Sequence, residues 1–334
     1  MSALEVFASP AVDPPRRLLV RVAQRGSLLV FLAILLGFAV SAPNFLSVGN
    51  ISNVFAQSAM LGILALGLTC VVIGGGSNVV SGGLDLSLAA NLGLCAAVYS
   101  SLNNAGFEAW QAIALTLGCG LVVGAFNGLA VVLLRLPPLL ATLASMNLIA
   151  GLELVLTQNS VLATDSALLD SLASGAWLGV PALVWVLLSV AAGLWLLIQH
   201  SAFGLRLYAI GEYPQAAKAA GLSLQRYVFA SYLIAGGCAA IAAFCSAAFF
   251  SGSTTGSGDM LLSVVAIAFL GVVFSRRLTA NIPGTLLATL LLGFLINGFQ
   301  LLNISNFWVN GVQGVLILLV VAFSGALGRQ EGEQ

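Results

Sequence analysis

The sequence predicts an all-α, polytopic integral membrane protein with about ten transmembrane helices. Three observations predict it. The 334-residue chain is 60% hydrophobic and only 7% charged, with a mean hydropathy of +1.08, whereas a soluble domain is about a quarter charged. The apolar runs are long and rich in Leu, Val and Ala with scattered Gly, unlike the alternating strands of roughly ten residues that build a barrel. The few cations fall between those runs in a pattern that obeys one topology.

Ten runs fit membrane spans, at about 27–43, 54–74, 84–102, 110–134, 138–157, 178–198, 227–250, 259–275, 283–302 and 307–325. The first follows Arg16, Arg17, Arg21 and Arg25 and resembles a signal peptide. Pro43 stands where cleavage would be wanted and many spans follow, so a retained first span is expected. The second begins after Asn50 and Asn53 and runs into Gly74-Gly75-Gly76. A short, polar, glycine-rich connection from Ser77 to Asp85 leads to the third. Pro137-Pro138 separates the fourth from the fifth. The longest polar interruption, 199–226, lies between the sixth and seventh. Arg276 and Arg277 end the eighth as snorkelling anchors, and Asn281-Ile282-Pro283-Gly284 opens the ninth. The expected organisation is an arm at 1–26, a transmembrane domain at 27–326 and a tail at 327–334.

The eleven Lys and Arg form five clusters: the N-terminal arm; Arg135; Arg206, Lys218 and Arg226; Arg276 and Arg277; and Arg329. Four, two, two and two spans separate neighbouring clusters, so every cation falls on one face. The opposite loops carry Glu108, Asp165 and Asp170 but no Lys or Arg. The positive-inside rule makes the cationic face cytoplasmic, with both termini inside. The halves also echo each other. Gly82-Gly83-Leu84-Asp85 opens the third span as Gly256-Ser257-Gly258-Asp259 opens the eighth, and Asn127-Gly128 recurs as Asn297-Gly298. Five spans is an odd number, so the echo predicts an inverted five-helix repeat.

Several chemistries are excluded or disfavoured. Lys218 is the only lysine and precedes Ala219, so no GxxxxGK[ST] phosphate loop exists. His200 is the only histidine. The five cysteines lie in apolar runs without a CxxC pair and read as small buried hydrophobes. No catalytic Cys/His pairing, metal site or cofactor is expected, and no basic patch points to nucleic acid.

The candidates that remain are polar residues inside apolar runs. Asp85 lies among glycines at the start of the third span. At the centre of a span an Asp would cost roughly 2.5–3.5 kcal/mol. A broken helix lining a cavity accommodates it, as does an N-cap near the interface. Glu153 sits deeper in an apolar run. Asn127 and Asn297 each precede a Gly, which suits close helix packing or pathway lining. In the 199–226 loop, Pro214 suits a first helical position and Gly221 the residue past the end. They frame a helix over Pro214–Ala220. Two turns are too few to persist alone in water, so it packs on this chain or on a partner.

Taken together, these pieces resemble the membrane permease subunits of ribose-type ABC importers. The residues that carry the resemblance are Asn44-Phe45-Leu46-Ser47 with Asn50-Ile51-Ser52-Asn53; Gly82-Gly83-Leu84-Asp85-Leu86-Ser87; Gly124 to Gly128 with Pro138 to Leu143; Phe203-Gly204, Tyr208-Ala209-Ile210-Gly211, Ala216-Ala217 and Gly221-Leu222; and Pro283-Gly284-Thr285 with Asn297-Gly298. The resemblance implies import of a monosaccharide or small polyol across a bacterial inner membrane. Its implied partners are an ATP-binding subunit, a second permease as homo- or heterodimer, a periplasmic sugar-binding protein and membrane lipid. It implies that 212–221 is the helix that couples to the ATPase, with Pro214 and Gly221 as its limits, Glu212 at its start, and Ala216, Ala217 and Lys218 as contacts. Gly83, Asp85, Ser87, Asn127 and Asn297 are its candidate pathway or hinge residues. Leu88-Ala89-Ala90 after Ser87, and Gly271 to Arg277, depart from the family pattern. The rival reading is an ion-coupled secondary transporter using Asp85 or Glu153.

Overall fold

A computed structural model describes residues 29, 31–76, 83–275, 279–305 and 307–318. The predicted arm at 1–26, the tail at 327–334, Gly82, Arg276 and Arg277 lie outside the described residues.

A helix lies in each of the ten predicted spans. In order they are α1 (Phe31–Ser41), α2 (Val48–Gly75), α3 (Leu88–Asn104), α4 (Ala109–Val132) and α5 (Pro138–Thr157). The second half adds α7 (Ala182–Gln199), α10 (Leu224–Phe250), α11 (Leu261–Val273), α12 (Ile282–Leu301) and α13 (Phe307–Leu318). Six of them, α2, α4, α5, α7, α10 and α12, are long and apolar enough to cross a membrane. Three short helices lie between spans: α6 (Ala167–Ser174), α8 (Ala202–Glu212) and α9 (Pro214–Ala219).

Local chemistry sets the starts. Ser47 accepts from the Asn50 amide at the head of α2. Glu108 and Gln111 form a reciprocal capping box at α4. Pro138, Pro283 and Pro214 each occupy the first turn of α5, α12 and α9, where the missing N–H costs nothing.

The core is built around α2, which is apolar on all sides and buried along most of its length. It packs on α10, α12, α7, α11 and α8. Around the central α2–α10 pair the contacts come in matched sets. α4 packs on α10 as α12 packs on α2, and α3 packs on α10 as α11 packs on α2. α3 lies beside α4 as α11 lies beside α12. Matched pairings of this kind fit a repeat of five helices. α4, α5 and α7 turn Leu121, Val122, Leu140, Val155 and Leu196 outward, a surface suited to lipid.

The loop at 158–177 is more structured than its sequence indicates. It carries α6 and the two-residue strand β1 (Leu162–Ala163), which pairs antiparallel with β4 (Gly252–Ser253). A second ribbon joins β2 (Ala176–Trp177) to β3 (Val180–Pro181). Tyr99 fixes this cover to the bundle: its hydroxyl meets Ser166 Oγ at 2.7 Å, and its ring stands edge-on to Phe244.

The α4–α10 seam is a glycine contact. A Cβ on Gly124 would sit 2.5 Å from the Tyr232 carbonyl oxygen and 3.2 Å from Gly236 Cα. In lipid, helices associate by close packing rather than by hydrophobic drive, so small residues at the seam are essential. Gly124→Leu is therefore expected to lower the melting temperature of the detergent-solubilised protein. The overpacking cost is about 1–3 kcal/mol or more. Gly118→Leu on the same helix, where a Cβ meets nothing within 4 Å, should leave it nearly unchanged.

Candidate functional site

Two regions hold the candidate residues. The first is the lead-in to α3. Residues 83–85 are not helical, although they lie inside the bundle. Gly83 runs against the end of α2, where a Cβ would meet the Val71 carbonyl and lie 3.0 Å from Gly75 Cα. The free backbone is satisfied by side chains: Tyr232 Oη and Thr142 Oγ1 both donate to the Leu84 carbonyl, each at 3.3 Å. Irregular backbone at membrane depth requires such cover.

Asp85 follows. Its Oδ1 accepts from the Ser87 amide at 2.9 Å, from Ser87 Oγ at 2.7 Å and from Asn127 Nδ2 at 3.4 Å. Asn127 Nδ2 also donates to Ser87 Oγ at 2.6 Å. Asp85, Ser87 and Asn127 are all buried. The position is a compromise between the two expectations. Asp85 lies in a broken segment and accepts a backbone N–H at the helix entry, but the cap position belongs to Ser87, which makes no capping bond of its own. The result is a polar latch that ties the start of α3 to α4 and, through Leu84, to α5 and α10.

The structure brings Gly83, Asp85, Ser87 and Asn127 together and leaves Asn297 elsewhere. Asn297 pairs reciprocally with Asn50 at 2.8 and 3.0 Å, joining α12 to α2. This fits the packing reading of that residue. Glu153 is buried beside Gly93 and Ser257: a Cβ on Gly93 would lie 2.6 Å from both Glu153 Oε2 and Ser257 Oγ. Its Oε1 has no hydrogen-bond partner. Sequence reasoning missed Tyr232 and Thr142. Thr142 sits within a quoted motif, but Tyr232 has no local signal.

The second region is the interruption at 199–226. It holds two helices where one was expected. Ser201 caps α8 by accepting from the Phe203 and Gly204 amides. Gly204, Leu207 and Ile210 of α8 are buried, and the helix touches α2, α7 and α10. Tyr208 Oη donates to the Ala280 carbonyl at 2.7 Å, tying α8 to the approach to α12. The second helix, α9, ends one residue earlier than expected, and Gly221 follows in the left-handed region at φ +81°.

One expected contact needs correction. Ala217 is buried against its own chain at 5% exposure, so it is not available to a partner. A six-residue helix lying on α8 and α10 must turn one side inward, and Ala217 occupies that side. Glu212, Tyr213, Pro214, Ala216, Lys218 and Gly221 are exposed. Beside them a groove of about 850 Å³ runs between α8 and α12, lined by Gln199, Tyr213 and Asn281 among others.

A bundle of long apolar helices with a short external helix packed on α8 and α10 leaves the family to be decided by comparison. The model of a family described as branched-chain amino acid transport system / permease component matches residues 50–321. The chain belongs to this permease family. The ribose import permease protein of Escherichia coli strain K12 is 30% identical to it over 89% of this chain and 92% of its own. The corresponding ribose permease of Bacillus subtilis strain 168 is 32% identical over 84% and 85%. The autoinducer 2 import system permease of Klebsiella pneumoniae is 31% identical over 88% and 89%. No solved structure matches. The permease is thus a multi-pass membrane protein of the transport type that its sequence resembles, and nothing in these relatives favours an ion-coupled carrier.

In this permease Asn127 serves two acceptors of the latch. Asn127→Leu should leave a buried carboxylate short of a donor, at a cost of about 1–3 kcal/mol, read as a lower melting temperature. Asn147→Leu, which removes only an exposed bond to the Leu143 carbonyl on the same helix, should change it little.

Proposed function

We propose that this chain is the membrane-spanning subunit of an ABC importer that carries a monosaccharide or related small polyol across the bacterial inner membrane. ATP hydrolysis takes place on a separate subunit, consistent with the absence of a phosphate loop from the sequence. The ribose permeases among its relatives support a sugar as cargo. A second permease subunit, the same chain or a relative, completes the pathway, and a periplasmic binding protein delivers the cargo.

The observation that supports the reading best is the α8–α9 unit. Its outer helix offers Ala216, Lys218 and Tyr213 to a partner, while its inner helix is wedged among α2, α7 and α10. A push on α9 therefore reaches the two most central helices through one rigid element. On the topology expected from the cation pattern, with both termini inside, this unit lies on the same side as the ATPase. The polar latch at Asp85 is the hinge end of α3, and its neutral donors suit a segment that rearranges without separating charges.

Reconstitution of the permease with its ATPase and a loaded binding protein should give cargo-stimulated ATP hydrolysis. Tight docking without stimulation by any loaded binding protein would count against the reading. Within that assay Ala216→Glu and Lys218→Glu should each reduce the stimulation about tenfold with an unchanged melting temperature. Ala217→Glu should instead lower the melting temperature, because it places a charge in a buried contact.

A further inference from the structure

One cavity is used neither by the latch nor by the coupling unit. It measures about 420 Å³ and lies between α2, the end of α10, the start of α11, and α12 and α13. Small-molecule sites run roughly 300–1,000 Å³. Its mouth, at the exposed Phe250, Asp259 and Gln300, lies by the loops that carry no Lys or Arg.

The floor is polar and unsatisfied. Ser58 Oγ and Gln313 Nε2 line the cavity, both residues are buried, and neither atom has a hydrogen-bond partner. Thr69, Thr142, Thr157 and Thr289 each return their hydroxyl to the carbonyl four residues back, the usual habit in a helix. Ser58 does not. Gly293 makes room for it, since a Cβ there would collide with Ser58 Oγ. Gln313 is anchored by its other atom, which accepts from Ser263 Oγ at 3.2 Å. Two buried polar atoms on one cavity floor, free of internal partners, mark a place where a ligand supplies them.

We propose that this cavity holds the transported molecule in transit, and that the molecule is neutral, hydroxyl-rich and of monosaccharide size. The word "transported" rests on the permease reading; the binding claim does not. A hydroxyl both donates and accepts, so it pairs with a free amide NH2 and with a free hydroxyl alike. Asp259 at the mouth accepts from hydroxyls, and Phe250 offers an apolar face to the ring carbons of a sugar. No Lys, Arg or His occurs among the described lining residues. A carboxylate or phosphate ligand would therefore enter without a counter-charge. That chemistry favours a polyol over an amino acid.

The test uses the full-length permease in detergent, with D-ribose, D-galactose, myo-inositol and L-leucine as probes in thermal-shift titrations. At least one of the three polyols should raise the melting temperature by about 2 °C or more near saturation. L-Leucine should not. Ser58→Ala and Gln313→Leu should each weaken the response about tenfold; Ser58→Ala should melt at or above the unaltered protein because it removes an unpaired buried hydroxyl, whereas Gln313→Leu also strands the Ser263 hydroxyl and should melt lower. Wild-type responses in both variants, no response to any polyol, or an equal response to L-leucine would overturn the proposal. The transport reading fails separately, when the reconstituted importer shows no stimulated ATP hydrolysis although the polyol response is present.

Discussion

The fold depends on how closely α2 and α10 can approach. At their crossing a Cβ on Gly67 would lie 2.9 Å from Cys238 Cβ and 3.2 Å from Ala235 Cα. Lipid tails are as apolar as leucine, so burying leucine against leucine gains little in a bilayer. What remains is dispersion between well-fitted surfaces and hydrogen bonds across them, and both need short distances. The small residues Ala235 and Cys238 of α10 supply that fit. With this pair set, α4 and α3 take one flank and α12 and α11 the other. The large side chains of α4, α5 and α7 are left to face outward.

The same solvent explains where the chain departs from helix. The lead-in at 83–85 is tolerated because Tyr232, Thr142 and Ser87 cover its polar groups. Asn50 and Asn297 satisfy each other in a similar way at the opposite seam. Each polar pair joins helices from distant parts of the sequence, so each acts as a register pin. An apolar contact could slide along its helix, whereas an amide pair meets at one position only.

Much of this was legible in the sequence. Spans follow from the length of apolar runs, and the starts of α5, α9 and α12 from Pro138, Pro214 and Pro283. The polar residues worth following were also evident, because Asp85 and Asn127 stand out in an apolar chain. Their contact was not, since 42 residues separate them and no local pattern encodes a helix crossing. Tyr232 was invisible for the same reason. The helix α8 was overlooked because Gly204 and Gly211 argue against it locally. Both glycines are needed for close approach, to the Ile198 and Ile73 carbonyls respectively, so tertiary packing overrides propensity. The inward side of α9 was equally hidden. Its six residues are nearly all alanine or polar, and only the position of α8 decides that Ala217 faces in while Ala216 and Lys218 face out.

The division between α8 and α9 has an evolutionary consequence. The residues of α9 that face outward touch little of their own chain, whereas those of α8 are held by three helices. Substitutions on the outer face can thus accumulate without threatening the fold, and substitutions on the buried face of α8 cannot. On the docking role proposed for α9, a lineage of such permeases could accept a different partner by altering a handful of exposed side chains, with the packing beneath them unchanged.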